Sequence, residues 1–209
     1  MTEDDARQFL IDGLGVSRET MERLNTYADL VSRENAVQNL VSPASLPQIW
    51  NRHIVDSAQL SAFAPPGGDW LDIGSGAGFP GLVVAMLRRT KTVMVEQRRL
   101  RVDFLNRVVA ETGLAGRAFV VLGNIDTIPA SPFAVISARA VTSLDKLFVS
   151  GSRFATEETH WVLPKGRSAA SELEAAKASW QGDFRLEPSL TDPEARIVVA
   201  TGVRRRRGR

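Results

Sequence analysis

Asp72-Ile73-Gly74-Ser75-Gly76-Ala77-Gly78-Phe79-Pro80-Gly81 is the stretch on which the reading of this chain turns. An apolar run with strand character, Trp70 to Ile73, leads into it. A helical pattern, Leu82 to Arg89, leads out, with Pro80 suited to a first helical turn. Glycines at 74, 76 and 78 remove Cβ atoms from the turn, so a ligand can lie against the backbone. A strand, a glycine turn and a helix in this order form the entry to an α/β nucleotide-binding fold.

Upstream, Pro65-Pro66-Gly67-Gly68 marks the main boundary of the chain. Residues 1–66 read as a helical extension. Met21, Leu24, Ala28 and Val31 recur at helical spacing within Glu19 to Val37, and a second helical stretch covers Ser45 to Phe63. Downstream, strands alternate with helices. Strands are expected at Thr92 to Glu96, Ala118 to Leu122, Phe133 to Ser137 and Thr159 to Leu163. Helices are expected at Leu100 to Thr112, Ser143 to Phe154 and Ala169 to Trp180, and Arg185 to Pro188 with Arg196 to Thr201 reads as a closing antiparallel pair. This alternation predicts a doubly wound, mostly parallel α/β sheet over residues 67–203, followed by a basic tail at 204–209.

Composition bounds the function. The 209 residues are 44% hydrophobic and 24% charged, the balance of a globular protein. No apolar run approaches the roughly 20 residues of a membrane span, and Met1-Thr2-Glu3-Asp4-Asp5 is acidic where a signal peptide is basic. A cytoplasmic monomer is the expectation. The absence of cysteine excludes disulfides, thiolate metal sites and thiolate nucleophiles. Five arginines lie within residues 204–209; without them acidic residues outnumber basic ones. The basic character is therefore local, either a solvated extension or an electrostatic tether for RNA.

Two cofactor classes use such a glycine loop. Gly76 to Gly81 satisfies the G-x-G-x-x-G pattern of dinucleotide sites, and Glu96 stands 20 residues past Gly76, where a ribose-binding acid belongs. A diphosphate, however, would meet the carboxylate of Asp72 beside the loop. S-adenosylmethionine carries no phosphate. Its ammonium and sulfonium suit an acid such as Asp72, and Glu96 can accept both ribose hydroxyls. A methyl donor is therefore the expected ligand. Asp126, preceded by apolar Ile125 after the third strand, is positioned to accept from an adenine amino group.

The acceptor is narrowed by absences. Methylation of pyrimidine C5 uses a cysteine, which is missing. Enzymes directed at exocyclic amines place Asn/Asp-Pro-Pro-aromatic after the fourth strand, where this chain reads Ile136-Ser137-Ala138-Arg139-Ala140. A ring nitrogen such as guanine N7 needs neither device, because its lone pair already lies in the base plane and alignment suffices. Arg139 is the candidate for orienting substrate or closing the cofactor pocket. Arg52 and His53, in Arg52-His53-Ile54-Val55-Asp56-Ser57, and Lys165 in Lys165-Gly166 are candidate RNA contacts. Arg52 and Asp56 stand at i, i+4, a spacing at which they could simply pair with each other.

On these residues the chain resembles the RsmG (GidB) family, which methylates guanine N7 in 16S ribosomal RNA. The likeness is carried by Asn39-Leu40, Arg52-His53-Ile54-Val55-Asp56-Ser57, the glycine loop, Arg101-Val102-Asp103-Phe104-Leu105, Arg139-Ala140 with Ser143-Leu144, and Lys165-Gly166, over roughly residues 20 to 202. It implies a class I Rossmann-like methyltransferase with an N-terminal helical extension. It also implies S-adenosyl-L-methionine held at Gly74, Phe79, Ile125, Asp126 and Arg139, with Glu96 at the ribose and the small ribosomal subunit as partner. The chain departs from the family pattern at Ala134, where Asp is common, at Asn124, where Arg is common, and in its arginine tail. A small-molecule methyltransferase, or an assembly factor with a vestigial pocket, stays open as an alternative.

Overall fold

The structure is a computed structural model and describes residues 1–206. The N-terminal segment contains α1 (Glu3–Gln8), the 21-residue α2 (Arg18–Gln38) and α3 (Asp56–Ala58). Thr2 caps α1 in a reciprocal capping box with Asp5, and Ser17 caps α2 through the Thr20 amide. The helix expected at Ser45 to Phe63 is wound irregularly: a 3₁₀ turn at Leu46–Gln48, a π turn at Trp50–Val55, α3, then a second 3₁₀ turn at Gln59–Phe63.

The remainder is a seven-stranded sheet with its helices: β1 (Trp70–Ile73), α4 (Gly81–Leu87), β2 (Thr92–Glu96), α5 (Arg99–Glu111), β3 (Ala118–Leu122), β4 (Val135–Ala138), α6 (Leu144–Gly151), β5 (His160–Lys165), α7 (Ala169–Lys177), β6 (Trp180–Pro188) and β7 (Arg196–Arg205). The strand order is β3-β2-β1-β4-β5-β7-β6. The first five strands are parallel, and β7 lies antiparallel to both β5 and β6. β1, β2 and β4 are buried along their whole length, as strands covered on both faces must be. The chain winds outward from β1 to β3 and then returns to β4. The switch point therefore opens between the carboxyl ends of β1 and β4.

One face of the sheet carries α4 and α5, and residues 1–66 share their core: Leu24, Tyr27 and Ile54 pack in the same apolar cluster as Leu82, Phe104 and Leu105. The opposite face buries Phe148, Trp161 and Leu173 beneath α6 and α7. No helix among the described residues is long and apolar enough to cross a membrane.

Two boundaries differ from expectation. Helix α7 stops at Lys177, and Trp180 opens β6 instead of ending the helix; its indole donates to Asp145 Oδ1 at 2.8 Å and packs 5.5 Å from the Phe148 ring. The closing hairpin is correspondingly longer, so Arg204 and Arg205 pair with Gln181 and Trp180 as strand residues. Arg206 donates through Nε to the Lys177 carbonyl at 2.8 Å. The expected basic tail thus begins inside the sheet, where hairpin hydrogen bonds hold the backbone. Arg207 and Arg209 lie outside the described residues.

Candidate active site

The loop after β1 folds as its glycines require. Gly74, Gly76 and Gly78 take φ values of 69°, 57° and 101°, open only to residues without a Cβ penalty. A Cβ at Gly74 would meet Val141 Cγ2 at 2.7 Å, and one at Gly78 would meet Leu82 Cδ1 at 2.3 Å. At Gly76 nothing lies closer than the Arg101 guanidinium at 3.7 Å, so this stretch of loop can receive a ligand against its backbone.

Five of the loop's amides are donated within the protein. Gly74 and Ser75 give theirs to the Val95 carbonyl, Gly78 to the Ser75 carbonyl, Gly76 to Glu96 Oε2 at 2.9 Å and Gly81 to Asp72 Oδ2 at 3.2 Å. Two of the amides that a diphosphate would seek point instead at carboxylates. This donor set fits a ligand offering cations and hydroxyls, and it opposes a dinucleotide.

Asp72 itself sits behind the loop rather than facing a ligand. It is fully buried at the centre of the sheet, opposite Ser137 of β4. Trp70 Nε1 donates to Ser137 Oγ at 2.8 Å, and Ser137 Oγ donates to Asp72 Oδ1 at 2.7 Å. Burial pushes its carboxyl up to about 6, against the hydrogen bonds from Ser75, Ser137 and Gly81 that favour the charge. The direct contact with a cationic ligand expected of Asp72 is therefore replaced by anchoring: its carboxylate ties the start of α4 to β4.

Glu96, at the carboxyl end of β2, is buried and ready-ordered. Its Oε1 accepts the amides of Gln97 and Arg98 at 2.8 and 2.9 Å, and Oε2 takes Gly76 while facing Arg101 Nη1 at 3.9 Å. Past the end of β3, Ile125 is buried in the core. Asp126 is exposed, its amide donating to Asn124 Oδ1 and its carbonyl accepting from Arg153.

Phe79 is buried in an aromatic cage supplied by the N-terminal segment. Its ring lies 5.0 Å from Tyr27 and 5.0 Å, stacked, from His53, with the Arg139 guanidinium 5.0 Å from its centroid. Tyr27, the chain's single tyrosine, donates to the Ala77 carbonyl at 2.8 Å; burial raises its pKa well above the ordinary value and keeps it a donor. Helix α2 thus holds the tip of the glycine loop, a role that the apolar face of α2 gave no reason to suspect.

Beside the loop, a cavity of about 640 Å³ opens at the carboxyl ends of β4 and β5, lined among others by Arg52, His53, Asp56, Arg139, Lys165 and Asp192. Arg52 and Asp56 do not pair with each other. The π winding over Trp50–Val55 breaks the i, i+4 alignment, and each reaches across the chain. Arg52 Nη1 meets Asp192 Oδ2 at 3.1 Å, and Asp56 Oδ2 meets Arg139 Nη1 at 3.4 Å. Asp56 Oδ1 accepts from Gln59 and from Thr191.

His53 Nε2 lies 2.9 Å from Ser45 Oγ, whose hydrogen goes to the Ser42 carbonyl, so Nε2 carries the proton. Among the described residues His53 Nδ1 is buried without a partner. Burial first, then Arg139 and Arg52, depress its pKa to about 3, and the ring is neutral. Lys165, expected to meet RNA phosphate, is spent on Glu172 at 2.9 Å and the Thr142 carbonyl at 2.7 Å; only 11% of its side chain is exposed. It is a wall of the cavity, not a free cation.

The family model for GidB, rRNA small subunit methyltransferase G, matches residues 20–191. The chain belongs to this family. It is 49% identical to the ribosomal RNA small subunit methyltransferase G of Rhizorhabdus wittichii, over 99% of this chain and 95% of the relative. It is 42% identical to that of Zymomonas mobilis, over 97% and 95%. Among solved structures, the fold is similar to a TehB-like SAM-dependent methyltransferase from Corynebacterium glutamicum, with a TM-score of 0.56, 16% identity and coverage of 85% of this chain and 97% of that one. The Bacillus subtilis tRNA methyltransferase TrmK gives a TM-score of 0.57 at 15% identity, over 70% and 65%. The fold of this GidB-family protein is accordingly the class I methyltransferase fold, with β7 antiparallel at its place in the sheet. Among its described residues no cluster of His, Asp and Glu could hold a metal ion.

Proposed function

We propose that the protein transfers a methyl group from S-adenosyl-L-methionine to N7 of a guanine in 16S ribosomal RNA, acting as a cytoplasmic monomer on the small subunit or its rRNA. The carrying observation is the loop whose amides are answered by Glu96 and Asp72, set beside a polar cavity large enough for a nucleobase. When bound, S-adenosylmethionine supplies an electrophilic methyl group on a sulfonium.

The residues around it have separable tasks. Gly74, Gly76 and Gly78 keep the loop clear of side chains, and Phe79, caged by Tyr27 and His53, fixes its tip. Glu96 Oε1 is filled by the Gln97 and Arg98 amides, and Oε2, which accepts from Gly76, keeps one acceptor site for a ribose hydroxyl. Ile125 and Asp126 flank the place of the adenine, and Arg139 reaches from the end of β4 between the loop and the cavity. Asp72 serves by anchoring. Arg52 and His53 belong to the cavity on the substrate side, and Lys165 shapes its wall.

Guanine N7 needs no base before attack, and neutral His53 with ion-paired carboxylates leaves none at hand that must titrate. Catalysis is alignment of nitrogen, methyl carbon and sulfur. Nucleoside mass spectrometry of 16S rRNA from a deletion strain tests the reading. Loss of 7-methylguanosine, restored by the wild-type gene, is expected; an unchanged 7-methylguanosine content overturns it.

A further inference from the structure

Recognition of guanine is a separate problem from binding the methyl donor, and the cavity holds the chemistry for it. Guanine presents two donors on its Watson–Crick edge, N1–H and the 2-amino group; adenine presents a lone pair at N1 and no 2-amino group. A carboxylate facing that edge attracts the first base and repels the second, and sites built to pair a donor discriminate strongly against analogues lacking it. A base taken out of its stack is read by this edge.

Three carboxylates border the cavity. Asp56 is consumed by Arg139, Thr191 and Gln59, and 17% of its side chain is exposed. Glu172 is held by Lys165 and Ser168 against the wall. Asp192, in the loop between β6 and β7, is the most exposed of the three at 32%, and its ion-pair partner Arg52 is 46% exposed. Among the described residues each Asp192 oxygen has one partner: Oδ1 accepts the Glu194 amide at 2.9 Å and Oδ2 accepts from Arg52. One acceptor site per oxygen is left, the number that N1–H and a 2-amino hydrogen require. The Glu194 amide and the Arg52 guanidinium also hold this carboxyl below the usual carboxylate range, so it stays an acceptor at neutral pH. A second observation marks the cavity as a ligand site. His53, more than nine-tenths buried, is among the residues that line it, and no group in the described protein satisfies its Nδ1 lone pair.

We propose that Asp192 is the guanine-selecting residue, its carboxylate receiving N1–H and the 2-amino group of the target base. The inference rests on the reading of the protein as an rRNA guanine-N7 methyltransferase. Arg52 has the positioning role, fixing the carboxylate and leaving further N–H groups beside it for a carbonyl oxygen such as guanine O6.

The test pairs a protein variant with a base analogue. Full-length wild type, Asp192→Ala and Asp192→Asn are assayed on rRNA carrying either guanine or inosine, which lacks only the 2-amino group, at the target position. Wild type should lose about tenfold to a hundredfold in kcat/KM on inosine, the range for one hydrogen bond to a charged group. Asp192→Ala should show a comparable loss on guanine and no further loss on inosine, with Asp192→Asn between. Unchanged affinity for S-adenosylhomocysteine establishes that each variant is folded; should the alanine variant fail that control, the nearly isosteric Asp192→Asn carries the comparison. An inosine penalty of wild-type size in the folded variant sinks the inference alone. A wild type that methylates no rRNA guanine sinks the functional reading and the inference together.

Discussion

The glycine loop at residues 72–81 and the cavity beside it share the carboxyl edge of the sheet and are built by opposite means. The loop is backbone. Three positive-φ glycines shape it, five of its amides are satisfied by neighbouring carbonyls and by Glu96 and Asp72, and its acids are buried. The cavity is side chain. Arg52 with Asp192, Arg139 with Asp56 and Lys165 with Glu172 set three ion pairs around its rim and wall, drawn from five separated segments. A surface made from backbone suits a cofactor whose shape never varies. A surface made from paired charges can be rearranged to suit one base and reject another without disturbing the loop. Tyr27, Phe79 and His53 join the two regions, so the N-terminal segment is part of both.

The largest effect expected from breaking this division is at Gly74. Gly74→Val forces a β-branched residue to a φ of 69° and drives its Cβ onto Val141. Strain and overpacking of ~1–3 kcal/mol each should displace the loop and lower S-adenosylmethionine affinity by about a hundredfold or more. Calorimetric titration checks this, and wild-type affinity would show that the cofactor does not depend on the loop.

Diagnostic because the signs differ are the acid responses of the two regions, which act on stability and not on the cofactor. His53 titrates at about 3 when folded against an ordinary 6.5, so its stabilisation is complete above 6.5 and fades as pH falls toward 3. Asp72 titrates at about 6 when folded against 3.8, so its stabilisation is complete below 3.8 and fades as pH rises through 6. The two contributions are of order 5 and 3 kcal/mol. Between pH 4 and 6, His53→Gln should flatten the loss of unfolding free energy on acidification, and Asp72→Asn should steepen it, read by urea titration. Slopes that move together would mean that the two groups are not independently buried.

The smallest effect on catalysis is expected from the arginines at 204–209. β7 runs antiparallel to β5, so Arg204 and Arg205 lie beyond the amino ends of the parallel strands, at the pole opposite the cavity. Replacing Arg204, Arg205, Arg207 and Arg209 by Gln keeps the strand. It should leave S-adenosylmethionine affinity unchanged while reducing the salt slope of RNA binding by about 0.7 for each phosphate no longer neutralised. An identical slope returns these residues to a solvated role.

The strand at Thr92–Glu96 was legible to the residue because a parallel strand buried on both faces is a short apolar run, and Ala118–Leu122 shows the same run although it lies at the sheet edge and is partly exposed. The end of α7 was not. Trp180 continues the helical pattern, yet Phe148 and Asp145, distant in the chain, claim its side chain. Arg52 and Asp56 look like a helix pair in sequence, and only the π turn and the approach of the β6–β7 loop send them to different partners. Asp192 carried no signal beyond a turn before Pro193.

The sequence by itself determined the alternation of strands and helices, the glycine loop with Glu96 at the next strand end, and the family. Each of these is written in spacing along the chain, since it depends on backbone conformation and burial of neighbours. The tertiary structure alone decided that Asp72 anchors from behind, that Tyr27 steadies the loop, and that Arg52, Asp56, Arg139 and Asp192 meet around one cavity. Apart from the bond between Asp72 and Gly81, those contacts join residues 50 to 140 positions apart, and a charged side chain's partner is set by where the fold brings its tip.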